Sequence, residues 1–68
     1  MNTRKQLQKA INHTNKVLHR LDRLSDDPTL YLESTFVDAE VYATGLRNCL
    51  LEIAEEHDID VNPDGRTK

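Results

Sequence analysis

Cysteine occurs once in this 68-residue chain, at Cys49, so no intrachain disulfide can form. The three histidines have no second thiol with which to build a zinc site, and no cofactor is expected. Two glycines, two prolines, no tryptophan and only Tyr31, Phe36 and Tyr42 as aromatics leave little material for strands and sheet turns. A long apolar run is also missing, which argues against a membrane span or a secretory leader. With the unpaired cysteine, this points to a soluble protein of the reducing cytoplasm. A chain this short rarely buries a core worth more than ~3–5 kcal/mol without a staple or a partner. Disulfide and metal being absent from the pattern, association with another chain is the expected route to stability.

What is present is charge, and it is segregated. Residues 1–24 carry Arg4, Lys5, Lys9, Lys16, Arg20 and Arg23 against Asp22 alone, whereas residues 25–68 carry eleven acids against Arg47, Arg66 and Lys68. The net charge of −3 is too small to steer partners globally, so electrostatic recognition has to come from this separation.

Both halves have helical apolar spacing. Thr3-Arg4-Lys5-Gln6 fits a capping box. It opens a helix over about 4–25, whose stripe is Leu7, Ala10, Ile11, Thr14, Val17, Leu18, Leu21 and Leu24. Asp27-Pro28 supplies an N-cap and a first-turn proline for a second helix over about 28–57. There Leu32, Phe36, Ala39, Ala43, Leu46, Leu50 and Ile53 step by four and three as a heptad seam. A competing reading places 25–34 in a longer loop and starts the helix at Thr35. Residues 1–58 thus read as one helical hairpin, and 59–68 as a C-terminal turn, Asn62-Pro63-Asp64-Gly65, followed by a frayed tail.

If the hairpin turns at residues 26–27, facing residues carry numbers that sum to about 53, so that Leu18 meets Phe36 and Leu7 meets Leu46. Small Ala39 and Ala43, with Gly45 beside them, then allow close backbone approach, and Cys49 flanks the seam as a small apolar residue. Leu50 and Ile53 overhang the start of helix 1, and Leu30, Val37, Thr44 and Leu51, with Val41, form a second row on helix 2. One neighbour cannot cover both rows. The expected fold is therefore an all-α, two-helix antiparallel hairpin that dimerises into a four-helix bundle, with Leu30, Val37, Val41, Leu50, Leu51 and Ile53 at the dimer interface.

Two other clusters bear on function. Lys9, Lys16 and Arg23 recur every seven residues with Lys5 and Arg20 beside them, a basic face for nucleic acid or an acidic partner. Asp60-Val61-Asn62-Pro63-Asp64-Gly65 opens like a calcium loop but lacks the terminal bidentate acid. Neither a phosphate-cradling glycine loop nor paired carboxylates in an apolar setting is present, so the chain reads as no enzyme. The expected function is that of a small interaction protein, a regulator, inhibitor or adaptor of the kind phages and plasmids encode, binding another protein by occupancy. The alternative is a nucleic-acid-binding four-helix bundle using the basic face of helix 1. In size and layout the arrangement is similar to the plasmid RNA-binding bundle Rop, a hairpin that dimerises and contacts RNA through its first helix. That resemblance implies RNA before DNA, and it carries no residue over. Protein binding ranks first because the eleven acids of the remaining chain would repel a polyanion. The fate of Lys9, Lys16 and Arg23 discriminates: solvent-facing together they favour nucleic acid, whereas pairing with Glu33, Asp38 or Glu40 favours a structural role.

Overall fold

A computed structural model describes residues 2–64. It contains α1 (Thr3–Leu24), a one-turn α2 (Pro28–Tyr31) and α3 (Ser34–Glu56), with α1 and α3 packed as a hairpin. The N-cap of α1 is Asn2, one residue before the expected capping box: its side-chain oxygen accepts the Lys5 N–H at 3.0 Å, and Thr3 is already helical. Thr14, the one polar member of the α1 stripe, is buried with its hydroxyl donating to the Ala10 carbonyl at 2.8 Å, which satisfies it without a partner across the helix pair.

Asp27 and Pro28 do begin a helix, but it lasts one turn. The Asp27 carboxylate accepts the Thr29 hydroxyl at 2.7 Å and the Thr29 N–H at 2.9 Å, and these bonds hold its pKa below the usual carboxylate range. The chain leaves helical geometry at Glu33 and restarts at Ser34, so the single helix expected over 28–57 is interrupted, close to the longer-loop reading. Leu32, assigned to the seam, is 80% exposed.

The longer connection moves the register. Arg47 Nε donates to Asn15 Oδ1 at 2.7 Å, so facing residues sum to about 62, not 53. It also turns α3 about its own axis. Phe36, Ala43 and Leu50 still face α1, but the other half of the expected seam, Ala39, Leu46 and Ile53, is displaced by Glu40, Arg47 and Ala54, a rotation of roughly 50°. Leu46 is 54% exposed, Cys49 is exposed, and nothing lies within 4 Å of a side chain built at Gly45, so neither the buried cysteine nor the close approach at that glycine is found.

Residues 59–64 fold back onto the hairpin. His57 caps α3, Asp58 takes a left-handed φ of 55°, and the Ile59 N–H donates to the Ala54 carbonyl at 2.8 Å, which completes a Schellman-type stop and sends the chain back over the hairpin. Ile59 and Val61 then pack, with Leu50 and Leu51, against the buried Leu7, Ile11 and Ala54. The segment is a strap. At Asn62–Asp64 the Asp64 N–H donates to the Asn62 side chain at 3.0 Å, while Gly65, the last residue of the expected turn, and the rest of the expected tail lie outside the described residues. An aspartate at positive φ beside the negative end of a helix is disfavoured twice, by backbone sterics and by the dipole. Asp58→Gly is accordingly expected to stabilise the chain by about 1 kcal/mol, seen as a higher midpoint in a thermal melt; a lower midpoint would contradict the capping role.

Candidate functional site

The strap is fixed by side chains of α1 and α3 that form one polar row along the top of the helix pair. Gln8 acts as a strand would: its Oε1 accepts the Asn62 N–H at 2.7 Å and its Nε2 donates to the Asn62 carbonyl at 2.9 Å. The Pro63 carbonyl accepts from Asn15 Nδ2 at 3.0 Å and from Arg47 at 2.8 Å, and the Asp60 carbonyl from Arg4 Nε at 2.9 Å. The backbone oxygens of the calcium-loop-like run are thus engaged by α1 and Arg47. Gln8, Asn15 and Arg47 had no role in the sequence reading. Their only signal was helical position: Gln8 lies three residues before Ile11, Asn15 four after it, and Arg47 seven before Ala54.

Beside the strap, on the outer face of α1, runs an open groove of about 980 Å³. Lys9, Lys16, Arg20 and Arg23 line it with His13 and His19, and Asp64 at the end of the strap contributes the one carboxylate. All four cationic side chains are exposed, and none makes an ion pair among the described residues. Of the two outcomes posed for Lys9, Lys16 and Arg23, the structure shows the first: they face solvent together and do not reach Glu33, Asp38 or Glu40. Lys5 is exposed near the start of the same helix and does not line the groove.

The residues expected at a dimer interface are not brought together. Leu50 and Leu51 pack into the chain's own core. Val37 and Val41, 47% and 61% exposed, lie on one side of α3, while Ile53, 43% exposed, lies on the other; Leu30 is half-buried in α2. A different apolar face emerges on the side opposite the strap. Helical spacing places Ala10, Val17, Leu21 and Leu24 along that side of α1 and Ala39, Tyr42, Leu46, Cys49 and Ile53 along that side of α3. The observed register sets the rows level, Val17 by Leu46, Leu21 by Tyr42 and Leu24 by Ala39, and no charged residue interrupts them. Compared with known proteins, the chain matches no family model, no curated protein and no solved structure.

Proposed function

We propose that the chain is a small, non-enzymatic helical interaction protein, a regulator, inhibitor or adaptor acting by occupancy, and that it works as a homodimer in which two hairpins form a four-helix bundle. The uncharged face across α1 and α3 carries this reading. Val17, Leu24, Tyr42, Leu46 and Ile53 are between 43% and 74% exposed there, while among the described residues the buried apolar side chains are Leu7, Ile11, Phe36 and Ala54. Covering on the order of 100 Å² at each of those five positions gives roughly 500 Å² per chain before the smaller residues are added, enough for the ~1,000 Å² total of a specific interface. A second copy suits it because the face has no lone charge that a different partner would have to neutralise, and because two faces of this kind complete the core that one chain lacks. Among the described residues no helix is long and apolar enough to cross a membrane.

Sedimentation equilibrium at tens of micromolar tests the proposal. The expected mass is twice that of the chain, and alkylation of Cys49, which lies on the face, should slow as concentration rises through the dimerisation range. A monomer with a cooperative melt independent of concentration would refute it.

A further inference from the structure

We infer that the groove on the outer face of α1 binds the phosphodiester backbone of a double-stranded nucleic acid, by charge and without reading bases. This goes beyond the homodimer and does not depend on it, since the cations of the groove and the uncharged face occupy different sides of α1, with Leu24 bordering both.

The first observation is the state of the cations. Lys9, Lys16, Arg20 and Arg23 share one groove with a single carboxylate, Asp64, and none is neutralised by an ion pair among the described residues. Holding four like charges along one open face is unfavourable unless an anion relieves it. The neutral amides of the same helix are committed to the strap, and the cations are left over.

Shape and spacing select the ligand. Lys9, Lys16 and Arg23 advance about 10.5 Å per step along α1, so the three span about 21 Å. A free phosphate would occupy one of these positions and leave the others unmatched. A duplex carries one phosphate per ~1.7 Å of axis with both strands counted, so a straight row of cations about 21 Å long meets several of them. The only aromatic rings lining the groove are the imidazoles of His13 and His19: Phe36 is buried, and Tyr31 and Tyr42 do not line it. Single strands are held largely by stacking on large aromatic rings, so a lining without Phe, Tyr or Trp favours a duplex held by its backbone.

The acids do not oppose this as strongly as their number suggests. Asp38, Glu52, Glu55 and Glu56 belong to α3, across the width of α1 from the groove, whereas Asp64 lines it and Asp22 lies on the same helix. Two helix diameters are roughly 20 Å, more than twice the ~8 Å over which exposed charges are felt at physiological salt.

The test is fluorescence anisotropy with labelled RNA and DNA duplexes of about 20 base pairs, comparing the wild-type chain with the triple variant Lys9→Gln, Lys16→Gln, Arg23→Gln. Wild type should bind with micromolar affinity at low salt. Raising salt from about 50 to about 200 mM should weaken wild type about 40-fold more than the variant, the difference expected for three lost phosphate contacts. The two duplexes distinguish RNA from DNA as the source of the backbone. Because the three side chains are exposed, the variant should keep its helical signal. If it does not, protection of Lys9 and Lys16 from acetylation by bound duplex, read by mass spectrometry on wild type, decides instead. The inference is overturned by absence of salt-sensitive binding to both duplexes, by a triple variant that binds like wild type, or by lysines that stay reactive in the presence of duplex. Displacement of duplex by an equal concentration of polyglutamate would also overturn it, in favour of an acidic polypeptide.

Discussion

Ile11→Ala is expected to leave the chain largely unfolded at room temperature. Ile11 is fully buried, at 0% exposure, and no other large side chain among the described residues is. Around it lie Leu7 and Ala54, with Leu50, Leu51, Ile59 and Val61 packed outside, so α1, α3 and the strap all meet at this residue. Removing most of a fully buried aliphatic side chain costs about 2–5 kcal/mol, because the transfer energy is lost and the neighbours close only part of the cavity. A domain of this size holds about 3–5 kcal/mol in its core, so the loss is comparable to the whole. Val17→Ala on the same helix serves as the comparison: Val17 is 48% exposed, and its truncation should leave the hairpin folded. Far-UV circular dichroism with a thermal melt reads both variants. A cooperative Ile11→Ala transition within a few degrees of wild type would mean that the three elements are held together elsewhere.

The position of that core explains which parts of the fold the sequence discloses. Two amphipathic helices, their antiparallel order, and the Asp27-Pro28 helix start follow from spacing and cap chemistry, and all are present. The register does not follow. Apolar spacing selects Ala39, Leu46 and Ile53 over the inward row of Glu40, Arg47 and Ala54, because two members of that row are charged. What decides is polar. Arg47 bonds both Asn15 and the Pro63 carbonyl, and Gln8 bonds both backbone groups of Asn62, so the side of the hairpin with these residues has to face the strap. The strap in turn is hard to see because its apolar content is two residues, Ile59 and Val61, spaced by two as in an extended chain and followed by a turn sequence. Reading a helix period through them finds nothing. The basic face was legible for the opposite reason: its residues needed no partner, so their helical spacing alone placed them.

The rotation of α3 has a consequence that separates folding from association in two substitutions. Leu51→Asp should unfold the monomer, and Leu46→Asp should leave a folded, helical chain that no longer dimerises. The apolar-seam register assigns these roles the other way round. Leu51 packs against the cluster of Leu7, Ile11 and Ala54 beneath the strap. A carboxylate there has no cation to pair with inside the cluster, and burying it unpaired costs several kcal/mol, more than the core supplies. Leu46 is 54% exposed on the uncharged face, level with Val17. A carboxylate at that position is solvated in the monomer, so stability there should change by no more than about 0.5 kcal/mol. In the dimer the same carboxylate, present twice, would be desolvated against an apolar surface with nothing to neutralise it, and association should weaken by at least about 100-fold. Circular dichroism reports the first property and sedimentation equilibrium the second. Two unfolded variants would place Leu46 in the chain's own core, two folded monomers would remove Leu51 from it, and either result would return α3 to the unrotated seam or to a packing different from both.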